Sequence, residues 1–458
     1  GGGCEYLQRW KRAKEGSRMV TSYSYWLIQM NYVLNQFAET APFQKRRVVV
    51  CDEAHKIPDI IESHFACTVD KKIIDQITRC LSMLAGARLT DIRINTQPFY
   101  DAVSEVISIS IKEASQTHLD SLRKLLLKYD LILRDFNSLK ETLVGKYFPK
   151  KPGAASNLGE SAKKLPKEIK NVIAMTDNLK DRHCKITDYI NSIDIHGIDN
   201  LIVDETNYNS RTFHNLSDEY LFQKHFAKFS DIRIFLSATL QPELLMKRWG
   251  IKHENSHVMF INSEWDIEKS LVVLTNTADM SYHNSDDGVR SAIKKINLLL
   301  ERHAGVRGVI HTTSNKITEE VCDNVHPRFR NRLVRYISTK EKIEILERWD
   351  DYPKDSVLVG PSLTTGIDLK DDHARFNIVI KLSFPNMKSA LWAKRAECLP
   401  HIYIGETSSI LEQSCGRTTR SKDDYSISYI LDSRAEKFML KHQKYFSPSF
   451  LERVRIEN

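Results

Sequence analysis

The run Val48-Val49-Val50-Cys51, which stops abruptly at Asp52-Glu53-Ala54-His55, most restricts what this chain can fold into. An apolar, β-branched run with no polar alternation has no face to give to water. It is expected as an inner strand of a parallel sheet, covered on both sides. In such sheets the loops at the carboxyl ends of the strands carry the chemistry, so the acids at 52 and 53 stand where a functional loop belongs.

Further runs repeat the theme. Strand-like segments are expected at 201–203 and 232–236, the latter ending in Ser237-Ala238-Thr239. Others follow at 271–274, 308–311, 333–337, 357–359, 376–382 and 426–431, alternating with helical patterns. That alternation predicts an α/β fold with a parallel sheet flanked by helices. Arg18-Met19-Val20-Thr21 reads as a short strand leading into a helix that runs to Leu34. Between about 70 and 200 the period changes: Leu122, Leu125, Leu126, Tyr129, Leu131 and Leu133 recur at helical spacing. A stretch rich in Pro, Gly and Ser at 149–158 interrupts this region, which reads as a mainly helical insertion or a separate helical domain.

The 458 residues amount to roughly three domains' worth of chain. With 41% hydrophobic and 28% charged residues, the composition excludes a disordered or collagen-like chain. No apolar run approaches the length of a membrane span, so no membrane partner is expected. Lys and Arg number 67 against 59 Asp and Glu, and the excess of +8 suits a polyanionic partner such as nucleic acid. The eight cysteines contain no C-x-x-C pair, which predicts reduced, buried thiols and no zinc site. The chain opens Gly1-Gly2-Gly3 rather than with Met, and is expected to be a fragment.

Three strings carry candidate chemistry. Transfer of a phosphoryl group from a nucleoside triphosphate needs a carboxylate for Mg²⁺ and a second group to orient water. Asp52 and Glu53 suit these roles, although four residues alone could equally be a solvated acidic loop. In Gln413-Ser414-Cys415-Gly416-Arg417-Thr418-Thr419-Arg420, helical spacing would put Gln413, Arg417 and Arg420 on one face. Two guanidiniums aimed together suit the charge on a transferring phosphate; a solvated basic face is the plainer alternative. The hydroxyls of Ser237 and Thr239 either bridge two loops or cap a helix. Tyr23, Tyr25 and Trp26 could stack on bases, but at their spacing core packing is favoured. Cys51 and Cys415 are read as small core residues.

In this order the strings resemble the D-E-A-H, S-A-T and Q-x-x-G-R-x-x-R motifs of superfamily 2 helicases. The segment 360–369, containing Gly366-Ile367-Asp368-Leu369, and the turn Phe384-Pro385 narrow the resemblance to the XPD/DinG family of iron–sulfur-type DNA helicases. So does 308–315, with its T-S loop at Thr313-Ser314. The resemblance implies two RecA-like lobes, the first incomplete, with an Arch-like helical insertion. Residues 1–69 would be the carboxyl-terminal part of the first lobe and 70–200 the insertion. Residues 201–262 would return to the first lobe and 263–458 form the second.

By the same resemblance, ATP and Mg²⁺ are the cofactors, with Asp52 on the metal and Glu53 activating water. Gln413, Arg417 and Arg420 would act at the γ-phosphate, and Gly366, Asp368 and Gly416 would line the nucleotide site. His55, Ser237 and Thr239 would couple nucleotide state to DNA. Thr313, Ser314, Thr364 and Thr365 would contact phosphates of single-stranded or forked DNA, with Thr365 standing where the family usually has an acid. Movement would be 5′ to 3′, and the insertion could receive protein partners. Cys4 resembles the last ligand of a [4Fe-4S] cluster whose other ligands are missing. The sequence contains no G-x-x-x-x-G-K-[ST] loop; its one Gly-Lys step is Gly145-Lys146, in the insertion. The chain alone is therefore expected to be inactive, the intact protein an ATP-dependent helicase acting in DNA repair or a related pathway. Such a protein is expected inside the cell, in the cytoplasm of a prokaryote or an infected cell, or in a nucleus. A non-catalytic nucleic-acid-binding or assembly protein built on a truncated motor is the alternative.

Overall fold

The computed structural model describes residues 16, 18–33, 45–89, 93–111, 116–147, 165–261, 266–281, 285–361, 369, 371–416 and 424–457. The chain divides into two compact units. One comprises Gly1–Phe235 with Arg248–Gly250 and Met387–Lys394; the other comprises Leu236–Lys247, Ile251–Asn386 and Arg395–Asn458.

In the first unit, the Val48 run forms β1 (Arg46–Cys51), which pairs in parallel with β5 (Ser230–Phe235). One face of this pair is covered by aromatic side chains. Phe235 packs on Trp249, which stacks on Phe222 at 4.2 Å between ring centroids. Trp26 meets Phe226 edge-on at 4.9 Å. The other face carries Val48 and Val50 beside Ile232 and Ile234, all exposed.

Helix α1 (Tyr23–Ile28) continues as a π-turn, Gln29–Val33. The strand expected at 18–21 is absent. Residues 18–22 belong to no helix or strand, Val20 is fully exposed, and Ser22 caps α1 by accepting from the Tyr25 amide at 3.3 Å. Trp26 is buried and Tyr23 partly buried, so the aromatic run serves packing.

Helix α2 (Ile57–Phe65) follows the acidic loop. Among the described residues, four helices then build the insertion: α3 (Lys72–Gly86), α4 (Gln97–Ser108), α5 (Gln116–Tyr147) and α6 (Lys167–His196). In α5, Leu122, Leu125, Tyr129 and Leu133 are buried, whereas Leu131, counted with them in the sequence, is exposed, because two residues from Tyr129 it falls on another face of the helix. The helices share their core with an antiparallel sheet in the order β2 (Cys67–Asp70), β4 (Ser210–Asn215), β3 (Leu201–Asn207). Strand β3 therefore packs with the helical region, through Leu201 and Val203. The short helix α7 (Glu219–His225) leads back to β5.

The second unit is a seven-stranded, wholly parallel sheet. Its order is β12 (Val454–Ile456), β6 (Val272–Ala278), β11 (Ile427–Asp432), β10 (Phe376–Val379), β7 (Gly308–His311), β9 (Val357–Gly360) and β8 (Leu333–Arg335). Side chains alternate between its two faces. Ile310, Val357, Val359, Phe376, Ile378, Tyr429 and Leu431 share one core with helix α8 (Ser285–Arg302). Val309 and Leu358, and Val379 and Ile430, enter cores of their own. A sheet buried on both faces needs such apolar strands, which is why its inner strands were legible as runs. The strands expected from 271, 308, 333, 357, 376 and 426 all occur within it.

Candidate nucleotide and nucleic-acid site

Asp52 follows β1 directly, at its carboxyl end. Its Oδ1 accepts from the Glu53 amide at 3.0 Å. Glu53 adopts a left-handed backbone, φ 52°, and its carbonyl accepts from the Lys56 amide at 3.0 Å, closing a tight turn. The turn breaks the strand direction and leaves both carboxylates exposed. Glu53 Oε2 lies 3.2 Å from His55 Nδ1, while Ala54 between them is buried. A non-glycine residue in this region costs on the order of 1–2 kcal/mol and persists only where its surroundings hold it. Cys51, fully buried, has its thiol pushed up to about 12 by burial and stays neutral. Tyr23 O–H donates to the Asp52 carbonyl at 2.5 Å. Burial, and then the neighbouring Cys51, Asp52 and Glu53, raise the phenol far above its ordinary range, so it remains a donor.

Asp52 offers Mg²⁺ a hard oxygen donor. Among the described residues no group of three His, Cys, Asp or Glu gathers to hold a metal by itself. The arrangement fits a Mg²⁺ held by one carboxylate together with phosphate oxygens and water, the usual case for this ion. Cys4 lies outside the described residues, and the seven described cysteines are free and dispersed.

In the second unit the S-A-T hydroxyls meet the glutamine of the arginine motif. Helix α10 (Pro400–Cys415) carries Gln413, whose Nε2 donates to Thr239 Oγ1 at 3.2 Å and to Ser409 Oγ at 3.1 Å. Ser409 Oγ donates to the same Thr239 oxygen at 3.4 Å. The Thr239 amide in turn donates to Ser237 Oγ at 3.2 Å. Thr239 is buried, so its hydroxyl is committed to this network. Thr239, held by Ser237, thus bridges a loop to the side of a helix, which is neither the loop-to-loop bridge nor the helix cap expected from the sequence. Beside them Gln241 Nε2 donates to the Gly405 and Tyr445 carbonyls at 2.8 and 2.9 Å. These bonds tie the segment after the S-A-T residues to α10 and to the turn Gln443–Tyr445. Cys415 is buried and pushed up to about 12 by burial, as a packing residue should be.

Gly416 ends α10 as its cap. Thr313 and Ser314 follow β7, again at a carboxyl end; Thr313 is exposed, and Ser314 Oγ caps helix α9 (Asn315–Asn324) by accepting from Ile317 N at 3.3 Å. Arg417, Arg420, Thr364, Thr365, Gly366 and Asp368 lie outside the described residues. Gly145-Lys146 sits in the last turn of α5.

One group was missed by reading the sequence. Asp188 on α6, His225 on α7 and Asn31 after α1 meet in the interior of the first unit. His225 Nε2 is 2.7 Å from Asp188 Oδ2, and its ring stacks on Phe65 at 3.9 Å. Asn31 Nδ2 donates to the Leu27 and His225 carbonyls, which fixes its amide and turns Oδ1 toward His225 Nδ1 at 2.8 Å. Burial opposes ionisation of Asp188, but His225 and Lys224 outweigh it and hold the carboxyl below its ordinary range. The members stand as far apart as 31 and 225, with no local spacing to betray them.

Residues 298–450 match the Helicase C-terminal domain family. No curated protein matches the chain. Among solved structures, S. tokodaii Xpd4 is similar at a TM-score of 0.52 and 12% identity, covering 94% of this chain and 81% of that one. An XPD helicase (TM-score 0.47, 15% identity) and an apo XPD (TM-score 0.49, 13% identity) also match over 94% of this chain. They are covered to 72% and 80% of their own lengths. No helix among the described residues is long and apolar enough to cross a membrane. The chain has an XPD-like fold, with a RecA-like parallel sheet and helical additions, and its residues 298–450 are similar to helicase C-terminal domains.

Proposed function

We propose that this chain is the greater part of an ATP-dependent DNA translocase or helicase that moves on single-stranded DNA. The observation that carries the reading is the acidic turn at the carboxyl end of β1. It projects Asp52 and Glu53, consecutive residues, into solvent from a strand end. Asp52 would hold Mg²⁺ with the phosphates of ATP, and the Glu53 carboxylate would orient and deprotonate the attacking water. The metal supplies charge neutralisation at the phosphates when bound.

Gln413, through Thr239 and Ser237, offers a route by which the nucleotide state reaches the loops that grip DNA. Thr313 and the cap at Ser314 would meet backbone phosphates, contacts that position a strand without reading its sequence. Arg417 and Arg420 would supply charge at the γ-phosphate. Gly366, Asp368 and Gly416 would line the nucleotide, and Thr364 and Thr365 would join the phosphate contacts. The 5′ to 3′ direction is proposed on the family resemblance alone. A phosphate-cradling loop is part of the proposal, supplied by polypeptide other than these 458 residues. The bare face of Val48, Val50, Ile232 and Ile234 supports it, because parallel sheets are covered on both sides.

The test is ATP hydrolysis by the protein of the full reading frame, with and without single-stranded DNA. Hydrolysis should rise with DNA, and Glu53→Gln should abolish it while nucleotide binding persists. Unchanged turnover in Glu53→Gln would remove the assignment. A full-length protein that binds DNA and ignores ATP would instead be an assembly module on a motor fold.

A further inference from the structure

Resting on that reading, we propose that Tyr23 is a positioning residue for hydrolysis, clamping the acidic turn through the Asp52 carbonyl. That carbonyl stands at the one point where the extended strand must change to the left-handed conformation of Glu53. A turn of this kind needs an anchor on its strand side. Its far side is already closed by the bond from the Lys56 amide to the Glu53 carbonyl. Tyr23 O–H provides the strand-side anchor at 2.5 Å, from 29 residues away in sequence.

An anchor is useful only if it is itself held, and Tyr23 is held at both ends of its helix. At the amino end Ser22 caps the first turn, and the Tyr23 ring lies against Phe226 at 6.4 Å between centroids. One turn on, Trp26 packs edge-on against Phe226 and Phe229. At the carboxyl end, Asn31 is gripped through His225, which is in turn seated on Asp188 and Phe65. Asp188 belongs to α6, so the long helix of the insertion, α1 and the acidic turn form one continuous chain of contacts. The hydroxyl touches no group that would react. Its effect passes through the backbone to the two carboxylates, whose separation from water and phosphate must be set within fractions of an ångström.

The test compares wild type and Tyr23→Phe of the full-length protein, since the substitution keeps the ring and its packing. DNA-stimulated kcat is expected to fall about tenfold, the scale of one lost hydrogen bond, with KM for ATP within about twofold. Independently of activity, peptides spanning 51–57 should exchange amide hydrogens faster, while those covering 222–235 keep wild-type protection. Asn31→Ala, which frees the far end of the helix, should raise exchange at 51–57 in the same direction. Wild-type kcat in Tyr23→Phe would overturn the proposal. So would a fall in kcat accompanied by faster exchange throughout the unit, because Tyr23 would then be only a packing residue. If the wild-type protein itself does not hydrolyse ATP, the translocase reading fails first, and this inference falls with it whatever the exchange shows.

Discussion

Replacing Glu53 separately by Gly and by Ala isolates the backbone conformation of the acidic turn from its chemistry. Both changes delete the carboxylate and its 3.2 Å contact with His55, which at half exposure contributes at most about 1 kcal/mol. That loss cancels in the comparison. The remaining difference is the cost of holding a Cβ at φ 52°, on the order of 1–2 kcal/mol. The greater freedom of Gly in the unfolded chain opposes it by roughly 0.4–1 kcal/mol. Glu53→Gly should therefore be the more stable of the two by about 1 kcal/mol. In urea unfolding this reads as a higher midpoint with an unchanged slope, about 0.3–1 M apart for slopes of 1–3 kcal/mol/M. At an ordinary right-handed position the sign reverses, since Gly is then the worse residue by about 0.5–1 kcal/mol. An Ala variant equal to or more stable than the Gly variant would refute the left-handed turn and the clamp argued from it.

Trp249 is fully buried between Phe222 and Phe235, so Trp249→Ala should cost about 3–5 kcal/mol, seen as a drop in the urea midpoint; a loss under about 1 kcal/mol would mean the aromatic cluster is loosely packed. Gln413→Ala deletes two hydrogen bonds to hydroxyls and should destabilise the second unit by about 1–2 kcal/mol while weakening the stimulation of ATP hydrolysis by DNA; wild-type stimulation would show that the network is only structural. His303, stacked on Phe376 and hydrogen-bonded to the Tyr429 hydroxyl, is lowered to about 4 by burial. A depressed histidine stabilises the fold fully above its unfolded value of about 6.5 and loses that contribution as pH falls toward 4. His303→Gln should flatten the melting temperature across that window, and an unaltered pH profile would exclude His303 as its source.

What was legible in the sequence was whatever depends on unbroken local pattern. The apolar runs announced β6, β7, β9, β10 and β11 because a parallel sheet buried on both faces cannot tolerate polar positions in its inner strands. The run at β1 announced a strand too, but not the expected cover on both sides: among the described residues β1 pairs only with β5, and Val48 and Val50 are exposed. The acidic turn was legible because charge at 52 and 53 can follow an apolar strand only where it leaves the core. The helical spacing of Leu122, Leu125, Tyr129 and Leu133 announced the insertion. Strands without an unbroken apolar run were not legible. β2, β4 and β12 mix polar and apolar residues and are stabilised by neighbours rather than by their own pattern. The expected strand at 18–21 failed because β propensity without a ladder partner does not make a strand.

Tertiary structure alone decided the rest. Nothing local distinguishes Thr239 from a helix cap; its bond to Gln413, 174 residues away, makes it part of a network. Asn31, Asp188 and His225 acquire their roles only when three helices converge. Tyr23 passed as one aromatic among several until its hydroxyl was found on the Asp52 carbonyl. Residue type and period are properties of a few neighbouring positions and can be read along the chain. A hydrogen bond between distant residues depends on where folding brings two atoms, to within a few tenths of an ångström, and that is settled by packing across the whole unit.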